Sequence, residues 1–197
     1  MLVLISAIVI AYLFGSLSSA IIICKIMRLP DPRTRGSRNP GATNVLRIAG
    51  KKAAIITLLG DVLKGVIPVL IAKWLGLDDV GLAWVALAAF LGHLFPIFFH
   101  FVGGKGVATA LGCMLALAWP IALLWMATWL LMAILFRYSS LAALTASILA
   151  PVYMWYVTHD RAYVMLLIVM SAILIYRHRH NLQKLWQGKE SKIGKKS

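Results

Sequence analysis

Apolar stretches about as long as a bilayer is thick recur along nearly the whole of this sequence, and that recurrence limits the folds open to it. A helix crossing the hydrocarbon core needs about 20 apolar residues. Residues 3–24, 53–75, 80–99, 120–136, 139–157 and 161–176 approach or reach that length, and a shorter stretch covers 106–118. Backbone polar groups in lipid must be satisfied internally, so stretches of this kind read as helices. The count is six or seven spans, with seven favoured, in an all-α integral membrane protein. Composition agrees: 61% of the 197 residues are hydrophobic, against about 45–50% in soluble domains, and mean hydropathy is +0.87. The first stretch has no basic leader and is followed by Lys25 and Arg28, so it reads as a retained helix rather than a signal peptide.

What is not apolar is strongly basic. A formal net charge of +14 and a pI near 10.3 suit an anionic lipid surface or a small anionic substrate. Nucleic acid is set aside, because no soluble domain remains once the spans are counted. Lysine and arginine outside the spans mark the cytoplasmic side. The loop after the first span carries Lys25, Arg28, Arg33, Arg35, Arg38, Arg47, Lys51 and Lys52, and the tail carries Arg177, Arg179, Lys184, Lys189, Lys192, Lys195 and Lys196. The opposite side holds only Lys73 and Arg161, beside Asp78, Asp79 and Asp160. The N-terminus is therefore expected outside and the C-terminus in the cytoplasm. Cys24 and Cys113 lie in apolar stretches without metal or redox spacing and read as small core residues.

Three polar blocks interrupt the apolar pattern. The first, RGSRNPGATNVLR (residues 35–47), holds more than the positive-inside rule requires, since lysine and arginine alone would satisfy it. Asn39-Pro40 resembles an N-cap with proline at the first helical position, and Gly50 stands where such a helix would stop. A helix over about 40–49 puts Asn44 and Arg47 on one face, with the Gly36-Ser37 turn at its anion-attracting N-terminus. In the second block, Gly103-Gly104-Lys105-Gly106 opens an apolar helix. Glycines let backbone close on a phosphate and lysine supplies a point charge, although P-loop spacing is absent. The third, Arg177-His178-Arg179-His180-Asn181, ends the last span. His178 and Asn181 can face inward together, while Leu182, Leu185 and Trp186 suggest a tail helix lying on the membrane surface.

Asp61 and Lys64 sit one turn apart inside an apolar segment, where charges pair or serve a site. His93, between Gly92 and Pro96, reads as a hydrogen-bonded packing residue. The Tyr138-Ser139-Ser140 hydroxyls are explained by helix capping, and Trp74, Trp84, Trp119, Tyr153, Trp155, Tyr156 and Tyr163 by interfacial belts. No metal-ligand cluster and no G-x-S-x-G elbow is present in the sequence.

In order along the chain, the blocks GSRNPGATNVLR, GHLFPIFFHFVGGKGVATALG and RHRHNLQKLWQGKE resemble the bacterial acyl-phosphate-dependent glycerol-3-phosphate acyltransferases, the PlsY family. The similarity runs nearly the full chain and includes Asp61-x-x-Lys64-Gly65. It implies a compact bundle of seven transmembrane helices in one domain over residues 1–197, in the bacterial inner membrane, with its active site at the cytoplasmic face. The implied reaction moves a fatty acyl group from acyl phosphate to the sn-1 hydroxyl of glycerol 3-phosphate, giving lysophosphatidic acid, with no cofactor and no metal. By motif match, Ser37, Arg47, Lys105, His178 and Asn181 are catalytic. Asn39, Thr43, Asn44, Gly103, Gly104 and Gly106 bind substrate, and Asp61, Lys64, His93 and Glu190 support the site. The implied partners are glycerol 3-phosphate, acyl phosphate and membrane phospholipids, with the enzyme that forms acyl phosphate as a further candidate. One departure stands out: the family usually has glycine where this chain has Arg38, and if that position needs φ > 0 the arginine strains the turn.

Arg47 suits a bidentate grip on phosphate and Lys105 a point charge against it. No histidine has aspartate five residues on, so the His-x-x-x-x-Asp base of another acyltransferase class is missing. The proton from the attacking hydroxyl goes either to a substrate phosphate oxygen, with His178 positioning, or to His178 itself. Residues alone leave acyl-CoA or acyl carrier protein open as donor. Transport of a phosphorylated metabolite fits less well, because the polar groups gather at one face without internal repeats. A lipid-binding scaffold would need only the basic loops.

Overall fold

The computed structural model describes residues 1–194; Lys195 and Lys196, counted above among the tail cations, lie outside the described residues. The described chain holds nine α-helices, α1 (Leu2–Gly15), α2 (Ser19–Ile26), α3 (Ala42–Trp74), α4 (Asp79–Leu94), α5 (Val107–Leu117), α6 (Trp119–Phe136), α7 (Ser139–Thr158), α8 (Arg161–Arg177) and α9 (Arg179–Trp186), and a short 3-10 helix at Ile97–Phe99. Four helices are long and apolar enough to cross a membrane, or six if the bent pairs α1–α2 (44°) and α8–α9 (58°) each count as one span. The expected first span is thus broken at residues 16–18. The expected span at 106–118 becomes α5, whose eleven residues rise only about 16 Å.

Where helices meet, small residues let their backbones touch, as expected when lipid removes the hydrophobic drive between them. A Cβ on Gly15 or Gly92 would collide with the facing backbone of α4 or α1, and one on Gly65 or Gly112 with the facing backbone of α5 or α3. α3 and α5 run parallel, and their contacts advance together: Thr109 Oγ1 donates to the Asp61 carbonyl (3.0 Å), Gly112 abuts Gly65, and Lys73 Nζ donates to the carbonyls of Ala116 (2.5 Å) and Leu117 (3.1 Å). The buried core threads α4, α5, α7 and α8 through Phe90, Leu94, Met114, Met154, Met170 and Leu174. Cys24 and Cys113 are both buried, as their apolar surroundings predict.

α3 is two helices end to end. Gly50 adopts φ +85° and breaks it into residues 42–49 and 51–74, so the predicted short helix stops where expected and another follows without a loop. Its start differs from expectation: Gly41, not Asn39, is the N-cap, because Pro40-Gly41 continues extended (Gly41 φ −147°) and the helix begins at Ala42.

Candidate active site

The serine loop is shaped by one buried amide. Asn44, in the first turns of α3, accepts from the Ser37 N–H (2.9 Å) and donates to the carbonyls of Pro32 (2.8 Å) and Arg35 (3.1 Å). It is 1% exposed, and a Cβ on Gly36 (φ +60°) would run into its side-chain oxygen. Asn44 therefore borders the cavity as the post around which the loop winds. Arg38 adopts φ +58°, the left-handed conformation that glycine enters freely and a residue with a Cβ enters only at a cost. Of the loop's arginines only Arg47 borders the cavity, where it donates to the Ser191 carbonyl (3.4 Å). Arg33 is paired with Asp31 (2.7 Å) and holds that carboxyl below its ordinary pKa through the hydrogen bond.

Gly103 and Gly104 pack closely on the preceding helix. Both are buried against the C-terminus of α4: a Cβ on Gly103 would strike the His93 and Leu94 carbonyls, and one on Gly104 the His93 ring. The Gly104 N–H donates to the His93 carbonyl (3.1 Å), and Arg177 Nη2 donates to the carbonyls of Gly103 and Gly104 (2.9 Å each). Neither glycine borders the cavity, whereas Lys105 and Gly106 do. These glycines allow α4 and the loop to approach closely, which seats Lys105. Behind them lie Asp61, Lys64 and His93, all at most 6% exposed. Lys64 pairs with Asp61 (2.9 Å) and donates to the Leu17 carbonyl (3.0 Å), which the break between α1 and α2 leaves without a helical partner; His93 lies 3.6 Å from Asp61. Asp61 and His93 border the cavity and Lys64 does not.

The 58° turn after α8 brings the third block inward. Asn181 Nδ2 donates to Glu190 Oε1 (2.7 Å), while Asn181 Oδ1 accepts from Lys105 Nζ. Lysine only donates and carboxylate only accepts, so the amide's orientation is determined. Ser140 Oγ also donates to Glu190 Oε1 (2.7 Å), and Ser139 Oγ lies 3.3 Å from Thr43 Oγ1. These serines were read from the sequence as caps; the α7 start has no side-chain cap bond, and both hydroxyls face the site instead. Nothing local distinguishes them from capping serines, because their partners are 50 and 96 residues away. Tyr163, assigned to an interfacial belt, is buried and donates to Asp79 (2.5 Å).

Burial, followed by the charge of Lys105, pushes the His178 pKa down to about 4. Its Nδ1 lies 2.9 Å from the Leu174 carbonyl, so the neutral ring carries its proton there and leaves Nε2 as an acceptor. Burial also lowers Lys105 to about 8, against the opposing pull of Glu190.

Ser37, Arg47, Lys105, His178 and Asn181 converge on one cavity of about 520 Å³, with Asn39 and Thr43 on its wall. The other half of its lining is apolar: Ala54, Ile55 and Leu58 from α3, Leu111 from α5, and Trp125, Met126, Trp129 and Leu130 from α6. Ile55 is 56% and Leu130 47% exposed, so this arm opens sideways between α3 and α6. An anionic headgroup and an attached hydrocarbon chain would fit the two halves together.

The chain matches the family model described as glycerol-3-phosphate acyltransferase over residues 5–188. It is 54% identical over 186 residues to the glycerol-3-phosphate acyltransferase of Methylococcus capsulatus, covering 94% of each chain. With that of Thioalkalivibrio sulfidiphilus it shares 57% over 187 residues, 95% of this chain and 92% of the relative. Among solved structures it is similar to the glycerol 3-phosphate form of PlsY, described as an integral membrane glycerol 3-phosphate acyltransferase, with TM-score 0.93 and 42% identity over 97% of this chain and 96% of that one. The lysophosphatidic acid form gives TM-score 0.90 and 41% identity over 97% and 95%.

Proposed function

Because the chain belongs to the glycerol-3-phosphate acyltransferase family, we propose that it transfers a fatty acyl group from acyl phosphate to the sn-1 hydroxyl of glycerol 3-phosphate. The observation that carries this reading is the single cavity with a cationic, hydrogen-bonding end and an apolar arm open to the bilayer. The hydroxyl oxygen attacks the acyl carbonyl carbon, an ester bond forms, the acyl–phosphate bond breaks, and phosphate leaves. Arg47 and Lys105 offset the repulsion between two anionic substrates. Ser37 and Asn181 hold the phosphate and the charge developing on the carbonyl oxygen. His178 positions the attacking hydroxyl through Nε2, and a phosphate oxygen takes the proton; a ring with its pKa near 4 is a weak base at neutral pH. Glu190 and Ser140 fix the Asn181 amide.

The protein is a single domain crossing the bacterial inner membrane seven times, with its N-terminus outside and the site at the cytoplasmic face. The parallel course of α3 and α5 supports the seventh crossing. α5 starts level with Asp61, well inside the bundle, and ends beside Lys73 at the far end of α3, so the remaining thickness suits a short helix. Purified protein in liposomes, given labelled glycerol 3-phosphate with palmitoyl phosphate, palmitoyl-CoA or palmitoyl carrier protein in separate reactions, tests the reaction and the donor. Lysophosphatidic acid is expected with palmitoyl phosphate alone; label taken into the lumen with no product from any donor would sink the reading.

A further inference from the structure

The apolar arm has a floor. α6 lines it on one face with residues 125, 126, 129 and 130, and from Leu130 to Trp125 the helix descends about 8 Å away from the polar end. Met126 and Leu130 are open to the exterior, but Trp125 is 3% exposed. Its indole also borders a second, smaller cavity of about 10 Å³ between α5, α7 and α8, lined by Ala110, Met114, Ser147, Ala150 and Met170 among others. Ser171 Oγ donates to the Ser147 carbonyl there (2.6 Å), so that hydroxyl is satisfied within the protein. Trp125 is thus a partition between the cavity that reaches the chemistry and a small space directly beyond it. Beside Leu167 and Leu174, the small side chains of Ala110, Ser147 and Ala150 and the adaptable thioethers of Met114 and Met170 let that space be reshaped.

We propose that Trp125 determines acyl-chain specificity: its indole is the end stop of the apolar arm, and the volume the indole fills, joined to the small space behind it, is where the terminal carbons of a longer chain would lie. The inference rests on the acyl-transfer reading above. It predicts that trimming the indole opens the partition and favours longer donors, because each methylene gained or lost in a hydrophobic pocket changes kcat/KM by about tenfold or more.

The test measures kcat/KM for palmitoyl phosphate and for the longer arachidoyl phosphate, in the unaltered protein and in Trp125→Phe, Trp125→Leu and Trp125→Ala. The quantity read is the arachidoyl-to-palmitoyl ratio, in which losses common to both donors cancel. The ratio is expected to rise in the order Phe, Leu, Ala, reaching about tenfold or more. Adding Ala150→Leu to the Trp125→Ala chain refills the space and should bring the ratio back down. If Trp125→Ala does not fold, the Phe and Leu variants carry the comparison. A ratio unchanged across the folded variants overturns the end-stop assignment and leaves the reaction standing. Absence of turnover with any acyl phosphate in the unaltered protein overturns the reaction instead.

Discussion

Arg38 and Lys105 show how single positions depart from their ordinary behaviour under constraint. At φ +58° Arg38 occupies a conformation that costs a side-chain-bearing residue about 1 kcal/mol or more. Arg38→Gly is therefore expected to stabilise the protein by about 1 kcal/mol, visible as a raised thermal midpoint in detergent; an unchanged or lower midpoint would show that the loop relaxes around the arginine. Lys105 has its pKa lowered to about 8, chiefly by burial. It is charged below that pH and loses its proton as pH rises through it, so kcat/KM should fall above pH 8. Lys105→Arg keeps the charge at all assay pH values and should move that fall upward, whatever it does to the maximum rate. A fall that stays near pH 8 in the arginine variant would assign it to another group.

At the scale of elements, the break between α1 and α2 depends on a charge pair in a different helix. Lys64 meets the Leu17 carbonyl at the break, and Asp61 meets Lys64. Lys64→Met strands a buried carboxylate and should cost about 3–5 kcal/mol, measured by loss of the thermal midpoint. Asp61→Asn with Lys64→Met should cost less than Lys64→Met alone, and a double variant worse than the single would refute the pairing argument. The sequence was informative here in proportion to how far each feature stands out from lipid-facing apolar residues. Six long segments, the helix before Gly50 and the polar blocks were legible because their periodicity or polarity breaks the background. The helix break at residues 16–18 was not, since Ser-Leu-Ser inside an apolar run leaves hydropathy nearly unchanged. The packing of Gly103 and Gly104 on the His93 carbonyl and ring was not legible, because glycine next to lysine looks the same whether its missing side chain admits a ligand or a neighbouring helix. Ser140 and Trp125 take their significance from partners distant in the chain, which no local pattern encodes.

For the whole molecule, the placement of cations predicts the orientation. With Cys24 and Cys113 buried, the unaltered protein should react little with a membrane-impermeant maleimide. Asp79→Cys is then expected to label from outside intact cells, and Lys51→Cys only after permeabilisation; the opposite pattern would invert the topology. The sideways opening between α3 and α6 has a further consequence for how such a catalyst is supplied. An amphiphile that enters from the bilayer is delivered by two-dimensional diffusion, so occupancy of the arm follows the mole fraction of donor among surrounding lipids rather than its concentration in the aqueous volume. Diluting the membrane with inert lipid would slow the reaction at constant total donor, while diluting the vesicles themselves in buffer would not.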